Sequence, residues 1–125
     1  MKTYHGIRTD KGCLVTVETD ATDYLLPHRF DLWNHSPDGF EWGYGGSGPA
    51  QLALAILADA INAPRARKGR SNWQDDDLDA RTVAVRLHQE FKRKFIAGLP
   101  RDDPWAITEQ QVEEFVKSQR REDNG

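Results

Sequence analysis

The chain has 125 residues, with 17 Lys and Arg against 20 Asp and Glu for a formal net charge of −3, which suits one core closed without staples and argues against coating nucleic acid through the overall field. Its single cysteine excludes an internal disulfide and a multi-thiolate metal site. No apolar run reaches the ~18 residues that span a bilayer, and the start M-K-T-Y-H-G-I-R lacks a secretory-type apolar stretch, so no membrane is expected and the cytoplasm is the expected compartment.

Tyr4 to Arg8 and Cys13 to Thr19 read as two strands joined by T-D-K-G, whose Asp and Gly suit a hairpin turn. Cys13, Val15 and Val17 alternate with Leu14, Thr16 and Glu18, the pattern of a sheet with one strongly buried face. Cys13 has no activating neighbour in that pattern and reads as a packed thiol. Pro27 and Pro37 break the next segment into loops around short pieces, and Phe40 to Trp42 is expected to form a third short strand.

Pro49 to Asn62 is apolar except for Gln51, Asp59 and Asn62, which share a stripe with Ala55. This predicts a helix buried on most sides, ended by Pro64. A polar loop carrying Trp73 follows. A second helix is expected from near Asp77 or Asp79 to Ala97, with Val83, Leu87, Phe91 and Phe95 as its apolar stripe and His88 at its polar margin, stopped by Gly98 and Pro100. The D-P-W-A-I segment adds a short extended piece. Thr108 and Gln111 then form a capping box, with Ile107 and Val112 as the hydrophobic staple of a third helix. The expected fold is α+β: a small, largely antiparallel N-terminal sheet packed with a buried central helix and two further helices. Residues 1–117 form its single domain, and the polar tail 118–125 is expected to fray.

The turn before the buried helix carries Gly43, Gly45 and Gly48 in G-x-G-x-x-G spacing. A dinucleotide fold would need a second apolar strand after the helix, where this chain has P-R-A-R-K-G-R-S-N-W-Q. A phosphate loop would need Lys and Ser or Thr where Pro49 and Ala50 stand. Ser47 in G-G-S-G-P lacks the G-x-S-x-G elbow of a hydrolase. What remains is a helix starting at Pro49 with Gly48 as a cap that has no side chain, so that the amides of Ala50 and Gln51 need an acceptor. Ser47, a distant Asp, a small anionic ligand or a partner's side chain would each serve.

The run W-G-Y-G-G-S-G-P-A-Q-L-A-L-A-I-L, Trp42 to Leu57, resembles the hallmark of a family of small proteins of unknown function found in bacteria, phages and mobile elements. The resemblance extends to Tyr4 and Gly6, to S-P-D-G-F at Ser36 to Phe40, and to W-x-I-T at Trp105 to Thr108. It implies no particular reaction; the mobile-element association implies an accessory or host-interaction role.

Other chemistry is sparse. His28 and His35 flank Asp31, with Asp38 beyond, but the spacing matches no familiar ligand set, so no metal and no cofactor are assigned. Asp31, Asp38 and Glu41 offer carboxylates without a fixed separation, and no catalytic residue is named. Arg65, Arg67, Lys68 and Arg70 with Trp73 suit either a solvated loop or single-stranded nucleic acid, the less favoured partner. Trp33, Trp42, Tyr44 and Trp73 suit core packing, a pocket lining or an interface anchor, and the glycines beside Trp42 and Tyr44 would give their rings room to form an aromatic wall. The sequence therefore points to a non-enzymatic binding module. It would use Trp42, Tyr44, Gly45, Gly46, Ser47, Gly48, Ala50 and Gln51, with the Asn34–Asp38 loop beside them. Its partner would be a host or phage protein, with a small anionic or nucleotide ligand as the rival.

Overall fold

The computed structural model describes residues 1–65 and 80–124, the side chains of the last five excepted. Strand β1 (Thr3–Thr9) pairs antiparallel with β2 (Gly12–Glu18), and β2 with β3 (Asp23–Leu25). Helix α1 (Ser47–Ala60) follows, then α2 (Ala80–Phe91), which continues into a π-helical turn (Lys92–Ile96). Strand β4 (Trp105–Thr108) returns to the free edge of β1, and α3 (Glu109–Asn124) completes the described chain. The sheet order is β3-β2-β1-β4, all antiparallel, and with the three helices it makes the expected α+β fold.

The alternation read in β2 holds across the sheet. Tyr4, Val15, Val17, Trp105 and Ile107 are buried on the inner face, while Ile7, Leu14 and Leu25 lie exposed on the outer one. Gly6 pairs with Trp105, and the indole lies directly over it: a Cβ at position 6 would come within 2.2 Å of the ring. Trp42 meets Trp105 edge-on, 5.4 Å between centroids, and so joins the core beneath the sheet.

The expected strand at Phe40–Trp42 does not form. Phe40 stacks on His28, and the Trp42 indole N–H donates to the Arg101 carbonyl, so this stretch is fixed by its side chains. The third and fourth strands are β3 and β4.

Helix α1 is the core. Every side chain from Gln51 to Ala58 is buried, and α2, the π turn and α3 all pack on it. Burying leucines such as Leu52 and Leu54 there contributes about 1.5–3 kcal/mol each. The helix ends in a Schellman arrangement: Asn62 adopts a left-handed φ of 56°, its amide donates to the Asp59 carbonyl (3.2 Å), and that of Ala63 to Ala58 (2.8 Å). The reciprocal bonds Gln111 N to Thr108 Oγ1 (3.1 Å) and Thr108 N to Gln111 Oε1 (2.8 Å) make the expected capping box of α3, with Ile107 and Val112 both buried. The helix runs to Asn124, past the expected start of the tail.

The second helix differs from its expectation. Its described part begins at Ala80, so the proposed caps Asp77 and Asp79 lie outside the described residues. Its buried line is Ala84, His88 and Phe91, with Val83, Leu87 and Phe95 at the margin. His88 is therefore a core residue and not a surface one. Ala84 is fully buried and α2 packs on the alanine-rich α1, so small side chains suit a close approach of the two helices.

Candidate functional site

Gln51 and Asp59 on α1, and Asn62 just past its end, each have a structural task. Near the C-terminal end, Asp59 Oδ1 accepts from Tyr4 Oη (2.7 Å) and Lys2 Nζ (3.1 Å), and Oδ2 accepts from Tyr24 Oη (2.7 Å). This clamp ties β1 and β3 to α1. Burial, and then the bond to Asp59, push both phenols above their ordinary range. Asn62 supplies the left-handed cap described above.

Gln51, two turns earlier on the same stripe, is fully buried and organises a loop. Its Nε2 donates to the carbonyls of His28 (2.8 Å) and Trp33 (2.9 Å), and its Oε1 accepts from the His35 amide (2.7 Å). The loop straps across α1. At the far end Arg29, with a left-handed φ of 62°, donates to the carbonyls of Ala63 (3.0 Å) and Pro64 (2.7 Å) and pairs with Asp31 (3.0 Å). Those bonds hold a backbone conformation that costs a non-glycine residue about 1 kcal/mol or more. Leu26 and Leu32 anchor the strap from below.

Aromatic rings cover it. His28 stacks between Phe30 (5.0 Å) and Phe40 (4.2 Å). His35 stacks on Trp33 (4.8 Å), and its Nε2 lies 2.9 Å from Nε2 of His88, which is only 2% exposed. Burial lowers the affinity of all three imidazoles for a proton, and the Lys92 charge lowers that of His35 and His88 further. The candidate ligand set around Asp31 is thus dispersed: His28 is between phenylalanines, His35 faces His88 and Asp31 faces Arg29. Among the described residues no three His, Cys, Asp or Glu side chains gather as metal ligands would.

The glycine turn adjoins this strap and is anchored at its start. Glu41 takes Arg8 in a two-pronged bond (2.8 and 3.0 Å), which lowers the carboxyl's pKa, and the guanidinium lies over Trp42 at 5.1 Å. The Arg101 carbonyl accepts from both Arg8 Nε and the Trp42 indole. Gly43 donates to the Ile96 carbonyl (3.1 Å) at the end of the π turn. Its φ of 87° and the nearness of the Leu99 carbonyl to a Cβ there (3.2 Å) require glycine.

The helix begins two residues before its expected start. Gly46 is the N-cap and the Ala50 amide donates to its carbonyl (3.1 Å), so Ala50 and Gln51 belong to the helical ladder and not to an open end. Pro49, which has no N–H, is tolerated at N3 for the same reason as at N1: its missing donor falls among groups that the ladder does not use. Of the candidate residues, Trp42, Gly48, Ala50 and Gln51 are buried and Gly46 is partly so. Gly48 packs against Glu41, and the Tyr44 ring covers Gly46. Tyr44, Gly45 and Ser47 are exposed. Trp42 is core and Tyr44 is surface. Trp33, one of the four rings singled out in the sequence, is half exposed like Tyr44 and Phe30. Sequence reasoning missed His88 as its neighbour, and the buried glutamine in an apolar helix was the available signal for a held loop.

Arg65 is exposed, but Arg67, Lys68, Arg70 and Trp73 lie outside the described residues. Among the described residues no helix is long and apolar enough to cross a membrane. No curated protein and no solved structure matches the chain. A family model does match residues 4–76, which take in β1 to β3, the strap, the glycine turn and α1. As that is more than half of its length, the chain belongs to a family of unknown function, DUF6166.

Proposed function

We propose that this protein is a non-enzymatic interaction module that offers Trp33 and Tyr44, on the strap and the glycine turn, to a partner protein. One observation carries the reading: Trp33 is 50% and Tyr44 45% exposed, on segments held by buried hydrogen bonds from Gln51, Trp42 and Gly43. Rigid, half-exposed Trp and Tyr rings lose little entropy on binding and are favoured as interface anchors. Of the three candidate carboxylates, Glu41 is engaged by Arg8 and Asp31 by Arg29, which leaves only the exposed Asp38 and supports binding over paired acid–base chemistry. An accessory role, a bacterial or mobile-element origin and a cytoplasmic setting are part of this proposal and rest on the sequence alone. The rival reading, a small anion at the start of α1, draws on the N-cap Gly46, which makes no side-chain hydrogen bond.

The test begins with capture of partners from the source cell and purification of the species found. Trp33→Ala and Tyr44→Ala are each expected to weaken binding by about thirtyfold or more, the loss of a hot-spot side chain. Leu25→Ser, on the outer sheet face, is expected to leave binding intact. If both loop variants fold and bind like the parent protein, the proposal fails. Phosphate, sulfate and nucleotides are expected to give no thermal shift, whereas a true anion site would add ~2.7 kcal/mol at a hundredfold excess over Kd.

A further inference from the structure

We propose that the His35–His88 pair is a proton-operated latch that keeps the Trp33 strap closed at neutral pH and releases it in acid. The inference rests on the reading of Trp33 and Tyr44 as a recognition surface and adds its regulation.

The hydrogen positions follow from the partners. His88 Nδ1 lies 2.6 Å from the Val85 carbonyl, which only accepts, so the proton of neutral His88 is on Nδ1. Its Nε2 is then bare, and the contact at 2.9 Å is a hydrogen bond only if His35 Nε2 carries the hydrogen. The neutral pair thus has one satisfied arrangement, and it joins the strap to α2. A first added proton fits on His35 Nδ1 with the bond intact. A second, on His88 Nε2, sets two N–H groups and two positive charges against each other in a buried place, and the pair must part.

Backbone bonds to Val85 and Ala84 favour a charged His88, but burial outweighs them and the neighbouring charges add to it. Lys92, on the turn after α2, acts on both rings. From α1 the facing group is the neutral Gln51, and Asp59 lies two turns away, held by its two tyrosines and Lys2. On the strap Asp31 pairs with Arg29, and on α2 Glu90 pairs with Arg93. His28, between its phenylalanines, is also penalised for ionising. The closed strap therefore binds fewer protons than the open one. Its stability is fully present above the ordinary histidine value of about 6.5 and is lost as the pH falls below it toward the lowered values.

Amide hydrogen exchange over residues 28–40, corrected for the intrinsic pH dependence of exchange, tests this on the protein alone. In the parent protein the protection is expected to fall about tenfold or more between pH 7.5 and 5.0, one pKa unit's worth of linkage. His88→Gln keeps an acceptor for His35 but has no proton to gain, so its loss of protection at pH 5.0 should be clearly smaller than that of the parent protein, with His28 and His35 still titrating. Equal protection of the parent protein at both pH values overturns the latch, as does the same acid opening in His88→Gln. Should that variant not fold, the ring titration of His88 by NMR decides, and a midpoint at or above about 6.5 overturns the proposal. None of these readouts uses a partner, so the latch and the recognition surface fail separately.

Discussion

The two ends of α1 use the same device to different ends. At Asp59 a partly buried carboxylate collects two phenols and an ammonium from β1, β3 and the chain start, and the groups it gathers are drawn into the sheet–helix contact. At Gln51 a buried amide collects backbone groups from an irregular strap, and that strap carries half-exposed aromatic rings and neutral imidazoles. One end closes the fold; the other holds a surface in shape. A polar side chain in an apolar helix is costly unless it is satisfied, so each marks a place where the backbone of another segment must be fixed.

The sharpest way to break the comparison is at the closed end. Asp59→Ala leaves the Tyr4 hydroxyl buried and Lys2 unpaired, and is expected to cost about 3 kcal/mol in denaturant unfolding, the loss of two phenol–carboxylate bonds at about 1.5 kcal/mol each. Gln51→Leu keeps the volume but removes three hydrogen bonds, for about 2–3 kcal/mol at roughly 1 kcal/mol each. It should also loosen the strap while leaving the sheet in place. If the two substitutions loosen the same amides, the ends of α1 are not separate devices. Thr108→Ala removes the cap of α3 and is expected to cost about 1 kcal/mol while leaving the strap on Gln51 in place. Tyr44→Ala and Trp33→Ala sharpen the contrast from the other side. Each should change stability by no more than about 1 kcal/mol, as half-exposed positions do, so that a larger loss of binding is read directly.

Features with local causes were legible in the sequence. The β1–β2 hairpin, the burial of α1 and the Thr108–Gln111 box follow from alternation, composition and a four-residue capping pattern. The features that failed or stayed open depend on distant partners. Trp42 suited either the core or an exposed wall beside Gly43, and the choice is made by Arg101, Trp105 and Arg8, far along the chain. The start of α1 was misplaced because Pro49 is as acceptable at the third helical position as at the first. His88 looked marginal beside Glu90, yet α2 packs on α1, where Ala84 and the alanines of α1 suit a close approach. The strap was unreadable because Gln51 announces that something is held without saying which segment.

The most direct test of the account is residue-resolved amide exchange at His35, whose N–H is bonded to Gln51 Oε1 at 2.7 Å. The account predicts slow exchange in the parent protein at neutral pH. In Gln51→Leu it predicts exchange near the rate of an unstructured peptide at this site, with Tyr4 and Val17 in the sheet still protected. An amide of His35 that exchanges freely in the parent protein, or one that stays protected without Gln51, would contradict it.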